Sequence, residues 1–276
     1  MTYQQTIKYP ATLTGNALNS GLPVTIKISP APPNSGIRFF PAFGHKYGVI
    51  KSNCYNINSC ILSTNISNDQ ETIRTIEHLL SALHANHIDN ADITLSGGNE
   101  IPMFDGSAEP LYHLIRSAGL QIEDEPRKYI EVSEPITIYE PNKSIKIEPY
   151  DGLIIDCTIS FDHPEIKTQR IIYDMDKYNY QEDVSRARTF GFYNQIKQLQ
   201  ERGYLKGGGI DSAIILNDTD IINPPLRYDD EFVRHKLLDL IGDIYVNGAI
   251  KGYITSYCSG HCLNNKLMRV ISERTI

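Results

Sequence analysis

Asp124-Glu125-Pro126-Arg127-Lys128-Tyr129-Ile130-Glu131-Val132 is the point at which the pattern of this chain starts again. Charge and a proline interrupt what precedes it, because proline offers no N–H to a helix or a ladder. Tyr129-Ile130-Glu131-Val132 and Ile136-Thr137-Ile138-Tyr139 then read as strands. Upstream, Thr6 to Tyr9 and Val24 to Ile28 alternate as strands, with a turn at Asn16 to Gly21 and a Pro/Gly loop at Pro30 to Gly36. Thr72 to His84 predicts a helix, with Ile73, Ile76, Leu80 and Leu83 as its apolar stripe. Ala91 to Ser96 follows as a strand and Pro110 to Ala118 as a second helix. Downstream, Ile145 to Pro149 and Leu153 to Ile159 are strands. Tyr193 to Arg202 and Asp229 to Val246 are helices, the latter with Phe232, Leu237, Leu240, Ile241 and Ile244 on its apolar side. Each half therefore runs strands, helix, strand, helix, with no detectable sequence repeat. The predicted class is α+β: two similar domains, 1–126 and 127–276, each a mostly antiparallel sheet packed with two helices.

Composition bounds the partners. The 276 residues carry a net charge of −7, which argues against nucleic acid as the main partner and leaves room for a local basic pocket. The polar N-terminus has no signal-peptide pattern, and no apolar run approaches the roughly 20 residues of a membrane span. The five cysteines are odd in number and irregular in spacing. They are expected to be free thiols in a reducing compartment, which makes the protein cytoplasmic. A monomer is expected.

Several segments can carry chemistry. His235, Asp239 and Asp243 lie at i, i+4 and i+8, on one helical face. A histidine and a carboxylate one turn apart can reach one metal ion, and the next carboxylate can orient something else. The same spacing also describes a solvated face with ordinary pairing. Glu77 and His78 are adjacent, pointing about 100° apart on a helix, so one can bind metal while the other reaches a water on it. They do not form His-Glu-x-x-His, and a surface histidine beside a helical glutamate is the plainer alternative. His261, after Ser259-Gly260, reads as a loop or helix-start residue. Ser185 to Phe192 holds Arg186, Arg188, Thr189, Phe190 and Phe192, suited to a nucleotide diphosphate or simply to an amphipathic strand edge. His113 and His163 read as structural or peripheral. Spacing and residue type lead to a candidate mononuclear metal site at His78, His235 and Asp239, and no further.

Five stretches together resemble the UDP-3-O-acyl-N-acetylglucosamine deacetylase family of lipid A synthesis. They are Thr75 to Leu83 (TIEHLLSAL), Ile101 to Ala108 (IPMFDGSA), Val184 to Phe192 (VSRARTFGF), Asp230 to Asp243 (DEFVRHKLLDLIGD) and Ser259 to Asn265 (SGHCLNN). Their order and spacing match across nearly the whole chain. The resemblance implies two similar domains with the active site between them, and one zinc ion, or ferrous iron, held by His78, His235 and Asp239. It implies Glu77 as general base, His261 as a protonated acid or oxyanion donor, Asp243 as its partner and Thr189 as a donor to the tetrahedral intermediate. Lys236, Phe161, Lys143 and Phe190 would bind the UDP-sugar. The segment 192–224 would form the acyl-chain passage, with Tyr193, Ile196, Leu199, Leu205, Ile210, Ala213 and Ile215 as wall candidates. The products would be acetate and the free amino sugar.

The chain departs from the family pattern at Asn19, where histidine is usual, and at Cys258, where lysine is frequent. Cys262 replaces a small apolar residue beside His261, and a thiol there is expected to be oxidation-sensitive. Two other readings compete: a zinc amidohydrolase acting on another acetylated nucleotide sugar, and a non-catalytic protein that binds a UDP-sugar or acyl chain. A base beside a metal is of no use to a pure binder, so Glu77 and His261 argue against the latter.

Overall fold

The computed structural model describes residues 2–42 and 48–274. The first half runs β1 (Tyr3–Ile7), β2 (Ala11–Asn16), β3 (Pro23–Pro30), β4 (Ile37–Phe40), β5 (Ile50–Lys51), β6 (Ile57–Ser59), β7 (Asn65–Ser67), β8 (Thr72–Ile73), α1 (Glu77–Ala85), β9 (Ala91–Ser96), α2 (Glu109–Ser117) and β10 (Leu120–Pro126). The second runs β11 (Ile130–Glu131), β12 (Ile136–Glu140), β13 (Lys143–Glu148), β14 (Leu153–Ser160), β15 (Thr168–Asp174), α3 (Tyr180–Asp183), β16 (Phe190–Phe192), α4 (Tyr193–Glu201), β17 (Ile214–Leu216), α5 (Glu231–Ile244), β18 (Ile250–Tyr257) and α6 (His261–Arg274).

The class is α+β. A five-stranded sheet ordered β2-β3-β9-β4-β5 lies in the first half and a six-stranded sheet built on β12-β13-β18-β14-β15 in the second. Both are mostly antiparallel, and each contains a parallel pair, β4 with β9 and β14 with β18. The alternation read at Val24 to Ile28 is the burial pattern of β3, whose Val24, Ile26 and Ile28 are inaccessible while Thr25 and Lys27 face out. None of the described helices is long and apolar enough to cross a membrane.

The helix expected from Thr72 begins later. Thr72–Ile73 pair with Ile66–Ser67 as β8, and Thr75 turns through a φ of +60°, so α1 starts at Glu77. The apolar period was real, but its first member, Ile73, is buried from a strand. As a result Glu77 and His78 occupy the first turn, where free N–H groups and the positive end of the helix dipole meet the site. Leu79, Leu80 and Leu83 remain fully buried on α1.

Helices α1 and α5 pack directly on each other. At their other end His84 stacks on Tyr245 with ring centroids 4.3 Å apart, and burial pushes its pKa down to about 3, so it is a neutral core residue. The buried apolar side chains form one continuous cluster that runs from Ile7 to Ile271. The close approach of the helices depends on Gly242, because a Cβ there would lie 2.0 Å from the carbonyl oxygen of Glu77. Gly242→Ala is therefore expected to force α1 and α5 apart, with a loss of about 1–3 kcal/mol or more in denaturant unfolding. A variant as stable as the parent would show that the helices can yield at no cost.

Candidate active site

His78 from α1 meets His235 and Asp239 from α5, and all three are buried. One ligand atom from each lies within 4.8 Å of the others. Nε2 of His78 is 3.5 Å and Nε2 of His235 is 3.4 Å from the same Asp239 Oδ1. The His235 ring is oriented from behind, with Nδ1 3.2 Å from the carbonyl oxygen of Ala187, to which Nδ1–H donates. Asp239 Oδ1 itself receives no hydrogen bond. A buried, anionic, undonated oxygen facing two imidazole nitrogens is what a cation would satisfy. Two nitrogens and one carboxylate suit zinc or another borderline divalent ion.

The electrostatics agree with that use. Burial pushes His235 down to about 3, so it is neutral, as a ligand must be. Burial would lower His78 too, but the Asp239 carboxylate beside it raises it. Asp239 resists its burial: the neighbouring Lys236 charge holds it well below the usual carboxylate range. Lys236 Nζ lies 2.8 Å from Asp239 Oδ2.

Two further groups face this centre. Glu77 is buried, and burial pushes its carboxyl up to about 7 against the pull of His261 and His78. His261 is the first residue of α6, with Nδ1 2.9 Å from Asp243 Oδ2. Burial lowers its pKa, but the Asp243 charge and hydrogen bond outweigh that and raise it to about 9. Asp243 is completely buried and accepts also from Asn264 Nδ2 at 2.8 Å and from the Thr64 hydroxyl. An ionisable carboxyl near 7 and an imidazolium near 9 flanking a metal ligand set can take up one proton and deliver another.

The family model for LpxC, UDP-3-O-acyl N-acetylglycosamine deacetylase, matches residues 4–273. The chain belongs to this family. A UDP-3-O-acyl-N-acetylglucosamine deacetylase from Psychrobacter sp. is 40% identical over 272 residues, covering 97% of this chain and 91% of that protein. Those of Pseudomonas entomophila (39% identical, 100% and 92% covered) and Neisseria meningitidis serogroup C / serotype 2a (40% identical, 97% and 89% covered) are similar over comparable lengths.

Of the remaining candidates, Phe190 and Lys236 lie beside His235 and Asp239. Thr189 is held by backbone bonds from its N–H to Gly106 O and from Ile214 N–H to its carbonyl, each 2.8 Å. Phe190 lies 6.2 Å from the His235 ring and 5.6 Å from Phe161, and Lys236 Nζ is 5.6 Å from its ring centroid. Lys143 opens β13 one step beyond the Ser144–Tyr257 pair, at the sheet end from which the chain turns toward His261, and its side chain is exposed. A cavity of about 350 Å³ adjoins Thr189 and Phe190. All seven wall candidates line it, joined by Leu18 and Leu62 from the first half.

Some readings change. Arg188 is not available to a diphosphate, because its guanidinium is held by fully buried Glu231 (Nε to Oε1, 2.9 Å) and by the carbonyl of Pro225. The cysteines are not all free. Cys60 and Cys262 form a disulfide across 202 residues, while Cys54, Cys157 and Cys258 are thiols. Spacing could not reveal that pair, since only the fold brings the 60–63 turn against the start of α6. Asn19, the departure near the N-terminus, donates from Nδ2 to Glu100 Oε1 at 2.8 Å. Thr64 was missed altogether. It donates its backbone N–H to Glu77 Oε2 at 2.9 Å as well as its hydroxyl to Asp243. A lone threonine in a polar stretch carries no local signal, whereas Asn264 lay inside the SGHCLNN block in plain view.

Asp239→Ala is expected to lose bound metal and activity together, since it removes the only anionic member of the set. Metal analysis of the purified variant decides this, and a full complement would reject Asp239 as a ligand.

Proposed function

We propose that this chain hydrolyses the N-acetyl group of UDP-3-O-acyl-N-acetylglucosamine, giving acetate and the 2-amino sugar on the route to lipid A. The observation that carries the reading is the gathering of Glu77 and the His261–Asp243 pair at the His78–His235–Asp239 set, with an apolar cavity adjoining Phe190. The enzyme works in the cytoplasm as a monomer, and the chain divides near residue 126 into two domains with the site between them.

His78, His235 and Asp239 would hold zinc, with ferrous iron as the other ion this donor set accepts. Bound there, the ion supplies a Lewis acid for the amide carbonyl and brings the pKa of water toward about 7. Glu77, as carboxylate, takes the proton of the attacking water. The Thr189 hydroxyl donates to the oxyanion that forms as the carbonyl carbon becomes tetrahedral. His261, as imidazolium, stabilises that charge and passes its proton to the departing amine nitrogen, while Asp243 fixes the ring and favours its charged form. Lys236 and Lys143 face the diphosphate and Phe161 stacks on uracil, with Phe190 packed beside it. The acyl chain occupies the cavity walled by Ile196, Leu199 and Ile215.

Acetate release from UDP-3-O-acyl-N-acetylglucosamine, measured with metal content on the same sample, tests the proposal. Release that a chelator abolishes and about one zinc per chain restores is expected. No release from folded, metal-loaded protein would end it. The pH dependence follows from the two protonation states required. kcat/KM rises as Glu77 loses its proton and falls as His261 loses its own, groups whose pKa values without a cation are about 7 and about 9. A bound cation favours the deprotonated forms and moves both limbs to lower pH. Glu77→Gln is expected to cut turnover by roughly 10²–10⁴ with metal retained. An alkaline limb that persists in His261→Ala would assign the acid elsewhere.

A further inference from the structure

The deacetylation uses neither Cys60 nor Cys262, yet their disulfide joins the two pieces of chain that position its base and its acid. Cys60 lies in the turn between β6 and β7, and Cys262 is the second residue of α6, with the two Cα atoms 5.0 Å apart. On the α6 side the bond is one residue from His261. On the other side the chain runs from Cys60 through Leu62, which lines the apolar cavity with a φ of +67°, to Thr64. Thr64 holds Glu77 through its N–H and Asp243 through its hydroxyl. Asn265, one turn on from His261 in α6, closes the circuit, with Nδ2 donating to Thr64 Oγ1 at 3.0 Å and to the carbonyl of His261 at 2.8 Å. The metal ligands sit on α1 and α5, outside this circuit. Cys262 is exposed and Cys60 half-exposed, whereas Cys54 and Cys157 are buried. The bond is therefore within reach of a thiol reagent in the folded protein.

We propose that the Cys60–Cys262 disulfide is a positioning element of the active site, so that turnover depends on its thiol–disulfide state. This rests on the deacetylase reading above. A dithiol reduces the bond in two exchanges: a thiolate attacks one sulfur to form a mixed disulfide, and the second thiol then displaces the protein sulfur. Two electrons pass to the protein, which gains two thiols, and the reagent leaves as its own disulfide. A low-molecular-weight disulfide reverses the process. In the reduced protein the 60–64 loop and the first turn of α6 lose their shared restraint, and Thr64 and His261 are held by hydrogen bonds alone. Displacement of a positioned group by about 1 Å costs on the order of 10² in rate.

The test uses metal-loaded wild-type enzyme in three states: oxidised, reduced with dithiothreitol and desalted, and reoxidised with glutathione disulfide. The oxidised chain carries three free thiols of its five cysteines, which a mass measurement after alkylation verifies. Reduction is expected to lower kcat by at least about tenfold, with little change in KM and none in metal content, and reoxidation to restore it. Cys60→Ser is expected to match the reduced enzyme and to ignore dithiothreitol. Equal kcat in the two verified states, or failure of the pair to oxidise in the folded enzyme, overturns the proposal while leaving the deacetylase reading intact. Absence of acetate release in every state overturns both.

Discussion

The approach of α1 to α5 at Gly242 is the constraint on which the site depends. The glycine leaves room for the backbone of Glu77 against the second helix, and a methyl group there would collide with its carbonyl. That contact sets His78 against His235 and Asp239 and brings Glu77 to the same place. It joins two sheets, one in each half of the chain, through one apolar cluster. A ligand set drawn from two helices is only as well placed as their packing, and close-packed interiors shift little without cost.

Around that contact the fold buries several charges that would be prohibitive alone. Each is answered locally. Asp239 faces two imidazoles and Lys236, and Asp243 accepts from Thr64, Asn264 and His261. Glu231, fully buried at the head of α5, takes the Arg188 fork. That last pair anchors the segment carrying Thr189 and Phe190 beside His235. Glu77 lacks a full set of partners, with one backbone N–H on Oε2, and its raised pKa reflects it.

The errors in reading the sequence have physical causes. Ile73 kept the helical period but belongs to β8, because a period of three to four is also met by chance where a short strand precedes a helix. The strands β4 to β8 escaped notice because each is two to four residues long, too short to show alternation. Arg188 looked like an anion binder because residue type says nothing about a partner 43 positions away. Cys60 and Cys262, 202 apart, looked unpaired for the same reason.

By itself the sequence determined the class, the amphipathic helix that carries His235, Asp239 and Asp243, and the residues with the chemistry to act. These are local matters, carried by period, by turn residues and by motif blocks read in order. Only the tertiary structure decided that His78 reaches His235 and Asp239, that Thr64 holds the carboxylates of Glu77 and Asp243, that Arg188 belongs to Glu231 and that Cys60 meets Cys262. Each of those is a contact between side chains far apart along the chain. Their distance in space is set by how helices and sheets pack, which no local pattern encodes.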